Sequence, residues 1–402
     1  TVRLAKESIF FYLAYSAFFV IYVMKAVMLK LIGLNSTYVF STIRVVITED
    51  AYVDSLWIVF FAHIIISSVL ILQNVLREQS RRFFIKDYIS LRASNVICSF
   101  FILWICLSGY VMYIFGVGVM GSEGVSLPYK LSGIFYYSRT LFIPFFLLYM
   151  LEHSIVKAEK PLFRLVMFTL FLLVLTEIVV RASKSPLLNL ALSLSILYFI
   201  VTSRKIDTSK TLDKKFIIWV FSLAVLMFPI ITAYRFLVVE AANVASISSE
   251  LGSFTSNDGG FLVSSVSSFF HRLLGFTQLA GIISMDFVLP NLDGLSKHGS
   301  LAILYTRDVL GYYTTGHASS PSLLGVAYML GGIAWFIIVI LYYIVLVFVW
   351  WLAGTLKNFE ISLKCFLAFE VLNTTMAGTI DDSIFRLFLV CGFTILASTS
   401  LK

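Results

Sequence analysis

The residues best suited to chemistry in this chain are cations. Arg181 and Lys184 lie three positions apart in the turn Arg181-Ala-Ser-Lys-Ser-Pro, and Arg235, Arg272 and Arg307 are spread along a polar stretch from Arg235 to Pro321. A guanidinium is permanently charged and forks two hydrogen bonds onto phosphate oxygens, so arginines in such number suit a phosphate or diphosphate group whose charge must be stabilised. The same stretch holds Glu240, Glu250, Asp258, His271, Asp293, Lys297, His298, Asp308 and His317. It ends in Gly-His-Ala-Ser-Ser-Pro-Ser-Leu-Leu-Gly, from Gly316 to Gly325, a polar loop feeding a hydrophobic run. A loop histidine is more often a surface residue than a base, although its unperturbed pKa of about 6.5 suits proton acceptance near neutrality.

A membrane must position these residues. Of 402 residues, 59% are hydrophobic and 13% charged, and mean hydropathy is +0.95, a combination outside the range of soluble domains. Runs such as Ile9 to Met24 and Ile333 to Leu352 are unbroken, as a spanning helix of roughly 20 residues requires, whereas a barrel shows short alternating segments. The expected fold is therefore all-α: one polytopic membrane domain over residues 1–402. About ten spans are expected, near 8–31, 55–76, 95–115, 131–151, 162–180, 186–201, 216–234, 323–352, 365–377 and 383–397, with a kink at Pro229. Glu370, Asn373, Thr374 and Thr375 dilute the ninth.

The turns holding Arg77 to Arg92, Lys157 to Arg164, Arg204 to Lys215 and Lys357 to Lys364 then share one side, the cytoplasm, with both termini. The formal charge of +8 is spent on these turns and makes no nucleic-acid patch. Cys98, Cys106, Cys365 and Cys391 fall in apolar runs, implying neither a disulfide framework nor a metal site. The chain opens on Thr1, from which trimming of a few terminal residues is expected.

This topology puts the 235–322 loop and the Arg181 turn on the outer side, where nucleotides are not supplied. No Gly-x-x-x-x-Gly-Lys-Ser/Thr loop occurs. A reaction there needs a substrate already activated and already in the membrane, such as a sugar on a polyprenyl diphosphate. Arg139 lies inside the fourth span, where a charge must face the protein interior or a wet cavity; it either pairs with Glu177 or a carbonyl, or meets substrate. Arg181 and Lys184 either snorkel at headgroups or bind phosphate. Residues 267–283 read as an interfacial helix with a broad apolar face, His271, Gly275 and Gln278 in line, and Gly275 leaving room for a ligand beside His271 and Arg272. The alternative is a helix that only plugs the bundle.

The block Tyr312 to Gly332, closing the long loop and opening a span, resembles the O-antigen polymerase (Wzy) family, as does the short Arg181-Ala-Ser-Lys-Ser-Pro turn upstream. The resemblance implies a bacterial inner-membrane glycosyltransferase of GT-C-like build that is metal-independent and needs no cofactor. It would transfer a growing glycan from undecaprenyl diphosphate onto an incoming lipid-linked repeat unit at the periplasmic face. Arg181, Arg235 and Arg272 match the family's loop arginines, and His317 becomes the first choice for orienting or deprotonating the acceptor, with Glu240, Asp308 and Asp382 as carboxylate alternatives. Val326 stands where members often carry an acidic residue. Lys184, Arg139, His271, Gly275, Glu240 and Asp308 complete the expected substrate-binding set. The implied partners are lipid-linked oligosaccharides, membrane lipids, a chain-length regulator and a flippase.

Two rivals share this topology or this membrane. An O-antigen ligase would use a histidine late in the loop, but the spacing after His317 fits that pattern less well. A lipid-linked oligosaccharide flippase would need mid-membrane charges, and only Arg139, Glu177 and Glu370 approach that description, with no half-repeat.

Overall fold

The computed structural model describes residues 15–32, 37–38, 44–45, 47–75, 91–117, 131–181, 183, 185–204, 206–208, 211–240, 275–285, 301–305, 321–356, 359–376 and 380–400. Apart from a short antiparallel ladder pairing β1 (Thr37–Tyr38) with β2 (Arg44–Val45), the regular structure among them is helical. A π-helical turn, Phe19–Met24, leads into α1 (Lys25–Ile32); α2 is Glu49–Val75 and α3 Leu91–Ile114. Next come α4 (Leu131–Tyr137), a π turn (Ser138–Phe142), α5 (Ile143–Val156), α6 (Lys160–Arg181), α7 (Ser185–Ser203) and α8 (Lys214–Glu240). The remainder are α9 (Gly275–Ser284), α10 (Leu301–Leu304), α11 (Ser322–Gly331), a 3-10 turn (Gly332–Ala334), α12 (Trp335–Thr355), α13 (Glu360–Met376) and α14 (Ile380–Ser400).

Among the described residues six segments are long and apolar enough to cross a membrane: Glu49–Val69, Ala93–Ile114, Leu131–Val156, Lys160–Arg181, Ser185–Ser203 and Ser322–Thr355. The protein is a helical, membrane-embedded one. α12 shows why such helices hold their place. It is apolar all round, yet it buries only Trp335, Val339, Tyr342, Tyr343, Leu346, Val349 and Ala353, a stripe at helical spacing. Phe336, Ile337, Leu341, Ile344, Phe348 and Trp351 are left on the outer face for hydrocarbon.

The chain divides into two compact units. The first comprises Thr1–Phe84, Phe269–Thr355 and Glu370–Gly392. Its centre is α9, in which every residue from Gly275 to Ile282 is buried against α1, α2 and α11. At 1.5 Å per residue a ten-residue helix is about 15 Å long, too short to span a bilayer. The interfacial reading required one face open to lipid headgroups; the described part of this segment is instead wrapped by protein, as a helix plugging a bundle is. At Gly275 the place of a side chain is taken by Ile21 and Tyr22. α11 is equally short and buried, and the chain turns at Gly332 (φ 49°) before α12 continues outward. The eighth span expected from sequence is thus two helices, of which α12, with 21 residues, has the length for the bilayer.

The second unit comprises Ile85–Ser268, Leu356–Phe369 and Phe393–Lys402. Within it α6 packs on α3 and α5, and α7 packs on α8. α13 begins at Glu360, earlier than its apolar pattern suggests, because a side chain from α5 caps it: Glu152 accepts from the Ser362 amide at 3.0 Å and from the Ser362 hydroxyl. A carboxylate there satisfies the unpaired N–H groups of a helix start and opposes the helix dipole. Beside it Glu360 pairs with Arg204 at 2.6 Å and Lys364 at 2.5 Å. α8 continues as helix through Pro229 and Arg235 to Glu240.

Candidate functional site

The site with the most developed geometry lies in the second unit and starts from a proline. Pro144 sits in the first turn of α5 and has no N–H to give. Just before it the helix loosens into the π turn Ser138–Phe142, where the Ile143 amide reaches back five residues to the Ser138 carbonyl. Arg139 lies in this turn. It is 2% exposed, and each of its three guanidinium nitrogens donates to protein. Nε meets Glu177 Oε1 at 2.6 Å; Nη1 meets the Ile105 carbonyl at 2.7 Å and Ser108 Oγ at 2.9 Å; Nη2 meets Thr176 Oγ1 at 2.7 Å. The two hydroxyls are directed for this role. Ser108 gives its own proton to the Trp104 carbonyl and Thr176 to that of Leu173, so each turns lone pairs toward the arginine. Gly109 permits the approach, since a Cβ there would stand 3.3 Å from Arg139 Nη1.

Glu177 divides its carboxylate between two cations. Oε1 takes Arg139, and Oε2 takes Arg181 Nη1 at 2.9 Å, one helical turn further along α6. Arg181 is the last residue of α6. Its guanidinium lies over the Tyr136 ring, 5.3 Å from the centroid, and its Nε has no hydrogen-bond partner among the described residues. The side chain is 22% exposed. Two arginines against one carboxylate leave one positive charge, at the member that meets solvent. The chain then steps through Ser183, whose hydroxyl lies 3.2 Å from that of Ser185, into α7, where Pro186 in the first turn wastes no amide. A helix start with its free N–H groups beside a cationic turn is favourable surroundings for an anion.

Of the alternatives for Arg139, the structure displays the pairing with Glu177. Arg181 and Arg139, read separately in the sequence, are joined through one carboxylate. Ser108, Thr176 and Tyr136 were not singled out by sequence; small hydroxyl residues within otherwise apolar spans near a buried charge are the signal that finds the first two.

The first unit has its own buried pair. Glu370, fully buried, takes Arg386 Nε at 2.8 Å, while its Oε2 has no partner among the described residues. Beside them the Tyr342 hydroxyl lies 3.2 Å from Ser383 Oγ. Arg386 was absent from the sequence reading. Asp382, one of the three carboxylate alternatives for the base, stands one helical turn before it on α14.

His317, Arg272, His271, Lys184, Asp308 and Arg307 lie outside the described residues, as do the side chains of Arg235 and Glu240. Comparison with models of known families, with characterised proteins and with solved structures gives no match to this chain.

Proposed function

We propose that the chain is a glycosyltransferase that polymerises undecaprenyl-diphosphate-linked oligosaccharides into a surface polysaccharide. In this reading it crosses the bacterial inner membrane about ten times, in a GT-C-like arrangement, with both termini in the cytoplasm and the site facing the periplasm. The observation that carries it is Arg181: a guanidinium gripped from one side by Glu177, backed by the Tyr136 ring, partly exposed, and four residues from the start of α7. Such a group is ready for a diphosphate and costs little to reorganise.

The acceptor hydroxyl attacks the anomeric carbon opposite the diphosphate. The new carbon–oxygen bond forms as the bond to the diphosphate oxygen breaks, and the centre inverts. Arg181, with Arg235 and Arg272, stabilises charge growing on the departing diphosphate, and His317 receives the hydroxyl proton. The products are the lengthened lipid-linked glycan and undecaprenyl diphosphate.

Purified protein incubated with lipid-linked repeat units and no nucleotide tests this reading. A ladder of products is expected, lost in Arg181→Ala. Transfer only onto a lipid A core would make the protein a ligase, and flipping across vesicles with no new bond would make it a transporter.

A further inference from the structure

We infer that Glu177 and Arg139 are positioning residues for Arg181: the carboxylate fixes the guanidinium from behind, and the buried Arg139 cancels the carboxylate's charge so that Arg181 keeps its own for an anionic ligand. The inference rests on the reading of Arg181 as a diphosphate ligand.

Arg139 has little capacity left for a ligand of its own: four of its five N–H groups are committed to protein. It is 2% exposed, and Nε, Nη1 and Nη2 all donate to protein at 2.6 to 2.9 Å. A buried arginine is costly to install, and a hydrophobic side chain would pack the same space at less cost. What it supplies that a hydrophobic residue cannot is charge. Glu177, in its turn, is buried, and among the described residues its oxygens take hydrogen bonds from the two arginines.

Consider the same helix without Arg139. Glu177 and Arg181, one turn apart on α6, would form a neutral pair, and an incoming phosphate would meet a guanidinium already balanced and a carboxylate that repels it. With Arg139 on Oε1, the carboxylate still directs Arg181 through Oε2 but no longer neutralises it. The Tyr136 ring closes one face of the guanidinium, Glu177 occupies Nη1, and Nε has no partner among the described residues. Orientation and charge are thereby assigned to different residues.

The test uses the full chain in nanodiscs, with inorganic diphosphate as probe, thermal stability measured in parallel, and kcat and KM on lipid-linked repeat units. Arg181→Ala is expected to abolish probe binding. Arg139→Lys keeps the charge but not the fork of hydrogen bonds, so it should melt earlier while binding the probe nearly as wild type does. Arg139→Gln leaves Glu177 uncancelled and should weaken probe binding by about tenfold to a hundredfold. If Arg139→Gln does not fold, the neutral pair Arg139→Gln/Glu177→Gln replaces it. That pair restores the charge count and removes only the grip, and kcat should fall by about tenfold or more at similar stability.

Affinity that tracks melting temperature across the Lys and Gln variants, or a double variant with wild-type kcat, overturns the positioning role. Probe binding that needs Arg181 but is indifferent to Arg139 sinks this inference alone. Probe binding unchanged in Arg181→Ala sinks the diphosphate reading of Arg181 and the inference with it.

Discussion

The hydroxyl of Tyr22 donates to Ser322 Oγ at 3.2 Å and accepts from the Leu324 amide at 3.1 Å, joining residues 300 positions apart in the chain. Ser322 in turn donates to the Gly275 carbonyl at 3.3 Å. One phenol therefore supplies the first turn of α11 with a cap and ties it to the π turn before α1, while Ser322 ties it to α9, all within the first unit. Ser322 has φ 64°, so it holds this position at some backbone strain.

Tyr22→Phe keeps the ring and removes both bonds, leaving the Leu324 amide unpaired in a buried place. A loss of about 1–3 kcal/mol is expected, since the orphaned donor adds its desolvation cost to the missing bond. Ser322→Ala leaves the Leu324 bond intact and should cost less. Melting of the two purified variants side by side checks the order, and equal or reversed losses would remove Tyr22 as the cap.

Glycine at 275 and at 325 should differ sharply on substitution by alanine. At Gly275 the new methyl would collide with Ile21, whose β-branched side chain has few rotamers to retreat to, and would stand 3.0 Å from Tyr22 Cζ. At Gly325 the neighbour is the free end of Ile282, 3.0 Å from Cδ1, which can swing aside. Gly275→Ala is expected to cost about 1–3 kcal/mol or more, as overpacking of a core does, and Gly325→Ala clearly less. Expression level and melting temperature measure both, and a tolerant Gly275 would mean that α9 is not held where Ile21 and Tyr22 place it.

The contrast at Gly275 marks what the sequence can and cannot convey. Apolar runs announce spans because lipid imposes their length, and the helices at 131–156, 160–181 and 185–203 lie where the runs lie. A short helix such as α9 carries the same apolar pattern whether protein or headgroups cover it, so its pattern is silent about burial. The pairing of Arg139 with Glu177 was legible as one of two choices, because a charge in a span needs a partner. The link to Arg181 needed coordinates, since only geometry shows that one carboxylate serves both. Arg386 escaped notice for a related reason: at a span's edge a lone arginine reads as an anchor until its carboxylate is found on another helix. Thr374 and Thr375, which seemed to weaken the ninth span, return their hydroxyls to the carbonyls of Glu370 and Val371 and stay compatible with a buried helix.

Glu152 should act on α13 as a cap supplied from outside the helix. Glu152→Ala removes the acceptor for the Ser362 amide and hydroxyl together, with an expected cost of about 1–3 kcal/mol; Glu152→Gln retains a carbonyl oxygen for the amide and should recover part of it. Hydrogen exchange offers the sharpest measure. Faster exchange at the first turn of α13 in Glu152→Ala, with Gln intermediate, is the expected pattern, and an unchanged Ser362 amide would show that the cap contributes nothing.

The Glu370 and Arg386 pair should behave as buried ion pairs do when one side is removed. Arg386 Nε lies 2.8 Å from Glu370 Oε1, and neither side chain is more than 9% exposed. Arg386→Met leaves an uncompensated carboxylate whose second oxygen has no partner among the described residues, and Glu370→Leu leaves a buried guanidinium. Each is expected to cost about 3–5 kcal/mol, whereas the double variant Glu370→Leu/Arg386→Met removes both charges together and should fall well short of the sum of the single losses. A four-member cycle of melting curves gives the coupling directly. Additive losses would mean that the two charges do not depend on each other, and that the carboxylate finds its compensation elsewhere in the first unit. A double variant that folds well but loses ladder formation would instead place the pair among the residues that serve the reaction, because its structural need would already have been met by the apolar replacement.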